Sequence, residues 1–206
     1  MQIVELIIAL ILSLTLHEFM HGYVGFLLGD DTAKDQGRLT LNPLAHIDPF
    51  MTLLLPLLLI LAHAPVFGAA KPVPFKPWAL RYGKWGAAMV AVAGPLTNLF
   101  LAIFFGLWVR FIPLYPSAAQ LFVAIVEVNI GFFIFNMIPF PPLDGSRVLY
   151  AIAPYGLREI MDRIERAGII AIAIFIFFLY PYLAPLLNPI FGTLLSWLIP
   201  HASLLQ

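Results

Sequence analysis

The chain has 206 residues, 62% of them apolar and 11% charged, with 11 basic and 11 acidic side chains, a formal net charge of zero and no cysteine. A water-facing domain of this length needs roughly 25% charged residues to cover its surface, so this composition excludes an ordinary soluble protein, and a mean hydropathy of +0.96 points to lipid. The absence of clustered Lys and Arg excludes nucleic acid as a partner, and the absence of Cys excludes disulfides and thiolate metal sites.

The first apolar run, Ile3 to Leu28, is long enough to cross a hydrocarbon core of about 30 Å. It has no basic n-region and no small-residue cleavage site, so it is expected to be a retained span and not a signal peptide. A polar stretch follows, in which Gly37-Arg38-Leu39-Thr40-Leu41-Asn42-Pro43 alternates and ends in proline, predicting a short strand at a sheet edge. The next apolar run, Phe50 to Val66, contains Pro56 and Pro65. Beyond it, Lys71-Pro72-Val73-Pro74-Phe75-Lys76-Pro77 has prolines at alternate positions and is expected to be extended loop.

Two spans are predicted next, Trp85 to Val109 with Gly94-Pro95 inside it, and Ala118 to Ile138. Gly156 to Ala167 places Leu157, Ile160, Met161 and Ile164 at helical spacing, with Glu159/Arg163 and Asp162/Arg166 as i,i+4 pairs on the other side. It reads as a helix lying along the membrane surface. Ala167 to Leu187 is the last predicted crossing, and Ile190 to Pro200 is too short to span comfortably.

The positive charges argue the topology. If Phe50 to Val66 dips into the bilayer and returns, ten bases fall on one side: Lys34, Arg38, Lys71, Lys76, Arg81, Lys84, Arg147, Arg158, Arg163 and Arg166. Arg110 alone falls on the other. A full crossing by that run would break this asymmetry. The N-terminus is therefore expected outside, with the basic face in the cytoplasm. The expected fold class is an all-α polytopic membrane protein, one domain over residues 1–206. It has about four full transmembrane helices, a re-entrant segment, a short β element and an interfacial amphipathic helix.

Chemistry sits in the first span, in His17-Glu18-Phe19-Met20-His21. Residues i and i+4 of a helix lie about 40° apart, so the two imidazoles face one side and can share a metal. A carboxylate beside them can take a proton from a metal-activated water, the logic of HExxH metallohydrolases. Ionisable residues at membrane depth are costly without partners, which argues against an accidental match. A catalytic zinc typically has three protein ligands. Asp144 is a candidate for the third: under the four-crossing topology it ends on the same side as His21. Asp144-Gly145-Ser146 also reads as a simple turn or helix cap.

His17 to His21 in one span, Gly94-Pro95-Leu96-Thr97-Asn98 in a second, and Phe135-Asn136 leading to Pro142-Leu143-Asp144-Gly145 in a third resemble the site-2 protease family of intramembrane zinc metalloproteases, peptidase M50. Leu41 to Pro49 and Phe67 to Pro74 are similar to its short prokaryotic branch. The resemblance implies one catalytic Zn2+ held by His17, His21 and Asp144, with Glu18 as general base. It implies that Asn136 assists at the active site, orienting the Asp loop or stabilising an oxyanion. It also implies a multi-pass protein of the cell membrane, contacting lipid, whose substrate is the transmembrane helix of another protein. No stretch is long and soluble enough to form the PDZ or CBS domains of larger relatives.

Other polar residues have plainer readings. Asn98 and Asn129 could contact substrate or hydrogen-bond between helices. Glu127 points nearly opposite to Asn136, which makes it a poor ligand. His46 is expected to be an interfacial loop residue, and His63 and His201 carry no supporting pattern. Two other functions compete: a catalytically silent zinc-binding scaffold, and a metal-ion transporter, which would need ligands along a path and an inverted repeat. An extended substrate is expected to add beside the Gly37 to Asn42 strand.

Overall fold

The computed structural model describes residues 3–61, 63 and 70–200. Its helices are α1 (Ile3–Leu27), α2 (Thr32–Asp35), α3 (Leu55–Leu61), α4 (Lys84–Phe111), α5 (Pro116–Asn136), α6 (Gly145–Ile152), α7 (Tyr155–Arg166) and α8 (Ile169–Leu198). Among the described residues four of these, α1, α4, α5 and α8, are long and apolar enough to cross a membrane. The protein is an all-α membrane protein.

Three of the crossings form the bundle that carries the site. Ala9 packs with Ala124 and Ile125, and Ser13 meets Asn129, so α1 and α5 run parallel. Contacts from His17 to Asn98 and from His21 to Val90 set α4 antiparallel to both. Lipid offers no hydrophobic drive for helices to associate, so small residues that let backbones approach must do so. The buried face of α4 is accordingly Gly86, Ala87, Ala88, Ala91, Ala93, Gly94, Ala102 and Gly106, broken by few large side chains. α8 leans on this bundle through Leu198, which packs at Gly106, and Arg110 donates to the Trp197 carbonyl at 2.8 Å.

α8 differs from the sequence reading, which ended a crossing at Leu187 and set Ile190 to Pro200 apart. The structure joins them in one 30-residue helix. Pro185 and Pro189 lie inside it. Each removes one backbone donor, a loss that spanning helices tolerate through local adjustment of the helix. A π-helical stretch, Phe175–Leu179, precedes them in the same helix.

The expected strand at Gly37 to Asn42 is absent: no strand occurs among the described residues. Local polar groups capture this backbone instead. The Arg38 N–H bonds Ala33 O, the Asn42 N–H bonds Thr40 Oγ1, and the Asn42 side chain caps the 3-10 turn Pro43–His46. With no partner strand nearby, alternation alone does not make a ladder.

Among the described residues, the run after Pro49 forms no helix long enough to cross. Six residues of π-helix, Pro49–Leu54, and the seven of α3 together rise about 20 Å, short of the ~30 Å core. Pro65 and Val66, at the end of that run, lie outside the described residues, as do Phe67 to Ala69. The ends of the segment nevertheless meet, because the Lys71 N–H donates to His46 O at 2.9 Å. The two ends of the segment thus lie side by side, an arrangement compatible with the re-entrant reading.

α7 is the expected surface helix, with Met161 buried beneath it. Two of its acids turn toward α6 and not along their own helix. Glu165 pairs with Arg147, and Asp162 accepts from Tyr150 Oη at 3.4 Å.

This arrangement puts Lys76 and Arg163 on one membrane face and Arg110 on the other. The chain has no native cysteine to interfere. In sealed vesicles, an impermeant maleimide added from one side should label Lys76→Cys and Arg163→Cys together and leave Arg110→Cys unlabelled, or the reverse. Labelling of Lys76→Cys with Arg110→Cys would contradict the topology.

Candidate metal centre

α1 brings His17 and His21 onto one face one turn apart, and their Nε2 atoms lie 2.9 Å from each other. The chain after α5 cannot continue as helix through Pro139, Pro141 and Pro142, and it turns there. Gly145 is pressed onto the Met137 carbonyl, leaving no room for a Cβ. That turn delivers Asp144, at the start of α6, with Oδ2 at 3.2 Å from His17 Nε2 and 3.4 Å from His21 Nε2. One ligand atom from each of the three residues falls within 4.8 Å of the others.

Both outer nitrogens are already committed. His17 Nδ1 lies 2.6 Å from Asn98 Oδ1 and His21 Nδ1 lies 2.7 Å from the Val90 carbonyl. A carbonyl oxygen only accepts, so each Nδ1 carries the proton and each Nε2 presents its lone pair inward. The Asn98 amide is oriented by its own bonds: Nδ2 donates to Asn129 Oδ1 at 2.8 Å and to Ser13 O at 3.4 Å. Asn129 in turn donates to Ser13 Oγ at 2.7 Å and Ile125 O at 2.8 Å.

Two inward lone pairs and a carboxylate therefore converge on one point. Asp144 Oδ2 is buried without a well-formed hydrogen bond. When no metal is bound, burial disfavours the ionised Asp144, but charge on a protonated His21 and hydrogen bonds from His17 and His21 outweigh it and hold this carboxyl well below the usual carboxylate range. Such a cluster is stable only around a cation, either protons on the imidazoles or a metal in their place. Two imidazole nitrogens and one carboxylate oxygen match the protein donor set of a catalytic zinc.

The space for this centre is cut from the neighbouring helix. A Cβ added to Gly94 would stand 2.5 Å from His21 Nε2 and 2.7 Å from His17 Nε2. Gly94-Pro95 thus serves close packing beside the histidine helix. Glu18 is also buried, and its Oε2 accepts from the Val73 N–H at 2.9 Å. Asn136 closes α5, with its Nδ2 donating to Phe132 O at 3.0 Å. The ring of Phe132 stands edge-on to His17, centroids 6.4 Å apart.

His46 is not part of the cluster and lies in the loop turn Pro43–His46. It is fully buried, with Nε2 2.9 Å from Thr40 O. His63 is exposed and His201 lies outside the described residues. Sequence reasoning left the roles of Asn98 and Asn129 open and passed over Ser13. The signal was present: Ser13 is one turn before His17, and Asn98 is one turn after Gly94, so each lies over a residue of the centre.

If Asn98 fixes the His17 tautomer, Asn98→Ala should weaken zinc binding about 10–100-fold, as loss of outer-shell partners typically does, read by competition with a chelator. Gly94→Ala should weaken it further by filling the site. Unchanged affinity in both would contradict the placement of the centre.

No family profile and no solved structure matches the chain. Curated sequences do. Over 191 residues the chain is 38% identical to the candidate zinc metalloprotease YwhC of Bacillus subtilis, covering 88% of this chain and 81% of that protein. Over 193 residues it is 32% identical to the candidate zinc metalloprotease Rip2 of Mycobacterium tuberculosis H37Rv, covering 91% of this chain and 70% of that one. With the buried His-His-Asp cluster in a bundle of apolar helices, this similarity assigns the chain to the site-2-protease-like zinc metalloprotease family of YwhC and Rip2.

Proposed function

We propose that the protein is an intramembrane zinc metalloprotease of the M50 type that hydrolyses a peptide bond in or near the transmembrane segment of another membrane protein, as in regulated intramembrane proteolysis. The observation that carries this reading is the convergence of His17 Nε2, His21 Nε2 and Asp144 Oδ2 within a bundle of spanning helices, with Glu18 next to His17. His17, His21 and Asp144 would hold one zinc. When bound, zinc supplies Lewis acidity to a substrate carbonyl and makes a water molecule acidic near neutral pH.

The chain's own residues do the rest. Glu18 takes the proton from the attacking water and passes it to the leaving amine, which departs as the C–N bond breaks. Asn98 holds His17 in the tautomer that presents Nε2, and Val90 O does the same for His21. Asn136, the last residue of α5, would have to release its bond to Phe132 O to orient the Asp144 turn or donate to the developing oxyanion, the role the family resemblance implies. The cluster lies toward the basic face, which the charge asymmetry assigns to the cytoplasm, so water reaches it through the polar loops there. A scaffold that only bound zinc would have no use for Glu18, and a transporter would need ligands spaced along a path.

Glu18→Gln should retain one zinc per chain and lose cleavage by at least about 100-fold, the scale of general-base removal. Asp144→Ala should lose both. Crosslinking the Glu18→Gln protein in native membranes should trap single-span proteins. Cleavage by Glu18→Gln at the wild-type rate would exclude the mechanism, and zinc flux into liposomes would favour transport.

A further inference from the structure

Glu18 is not open to its surroundings. A strap of extended chain, Lys71 to Lys76, crosses over it, and its ties are few and specific. The Lys71 N–H donates to His46 O at 2.9 Å, and Arg38 Nη2 donates to Lys71 O at 2.6 Å and Pro72 O at 3.5 Å. At the other end the Lys76 N–H donates to Asp30 Oδ2 at 2.5 Å. Between these anchors the Val73 N–H is spent on Glu18 Oε2. Arg38, His46 and Asp30 are all buried, although none belongs to the metal centre.

The sequence explains this form. Lys71, Val73 and Lys76 each precede a proline, which favours extended backbone. Pro72 and Pro74 have no N–H, so the strap has few donors to satisfy, and besides the bonds above it is held by Phe75, which packs against Leu28, Leu80, Ala87 and Val90. Val73 is its buried side chain, and Lys71, Pro72 and Lys76 are exposed. Val73 Cγ1 stands 3.1 Å from where a Cβ on Gly22 would be, directly beside His21. An extended peptide amide thus rests on the proposed base, with its side chain seated against the helix that carries the histidines. A substrate strand would need the same place.

We propose that the Lys71 to Lys76 strap is a built-in lid that occupies the substrate's place over Glu18 and must lift before cleavage. The inference rests on the protease reading above. In the closed form the Val73 N–H competes with water for Glu18 Oε2, and the Val73 side chain fills the flank of the site. Lifting the strap breaks one bond to Glu18, uncovers Val73, draws Phe75 off its apolar neighbours and lets the main chain of an extended substrate take over the vacated position. Asp30 and Arg38 set how readily the strap leaves.

A disulfide tests this directly, because the 3.1 Å approach of Val73 Cγ1 to a Gly22 Cβ matches the ~3 Å between a cysteine Cβ and the far sulfur of a bridge. The double variant Gly22→Cys/Val73→Cys, purified with zinc in liposomes, is assayed on a tagged single-span peptide that the wild-type protein cuts. Oxidation should slow cleavage by more than about tenfold and reduction should restore it. Equal cleavage by the oxidised and reduced forms overturns the lid while leaving the protease reading intact. If the double variant binds no zinc even when reduced, amide exchange in the wild-type protein decides. A zinc-chelating peptide hydroxamate should speed exchange across residues 71–76, and unchanged or slower exchange overturns the lid. Failure of the wild-type protein to cut any single-span peptide counts against the protease reading itself and is recognised separately.

Discussion

The structure depends on one electrostatic constraint: two imidazole lone pairs and a carboxylate point at a single buried position. In a low-dielectric bundle they cannot be left facing each other, so the position demands a cation. That demand explains features that are otherwise unrelated. Gly94 lacks a side chain because the histidines occupy its space. Asn98, Asn129 and Ser13 bring polar atoms into the fully buried core, and each hydrogen bond they leave unmade would cost about 1–3 kcal/mol. The network they form is continuous from Ile125 O to His17, which converts an expensive group of buried amides into a fixed imidazole.

Much of the site was legible because its chemistry is carried by short-range spacing. His17 and His21 share a face on any helix, and the charge asymmetry puts Asp144 on their side of the membrane. Asn98 was harder, since a lone Asn in a span is as often a helix-to-helix bond, and only the 2.6 Å approach to His17 separates the two. Alternation misled at Gly37 to Asn42, because a strand needs a partner, and Thr40, Asn42 and the Ala33 carbonyl satisfy this backbone first. At α8 the hydropathy runs divide between Leu187 and Ile190, whereas the helix continues through Pro185 and Pro189, because in a span flanked by lipid the remaining intrahelical bonds are too valuable to give up. Nothing in the spacing indicated that Val73, 55 residues from Glu18, would donate to it.

The same face that concentrates the bases also collects the polar machinery. Asp30, Arg38 and His46 lie in the segment that leaves α1, and each ties the returning chain to that segment. The bilayer-spanning part supplies a buried frame for the histidines, and the loops close over it. Division of labour of this kind suits a hydrolase that must admit water to one point and exclude it elsewhere.

The account stands on a metal held by these three side chains. X-ray absorption at the zinc edge, on protein purified from membranes, reads that shell directly. The prediction is one zinc per chain with two imidazole nitrogens and oxygen donors at about 2.0–2.2 Å, and a first shell that changes when Asp144 is replaced by Ala. Protein that carries no zinc when saturated, or a zinc shell indifferent to His17, His21 and Asp144, would contradict it.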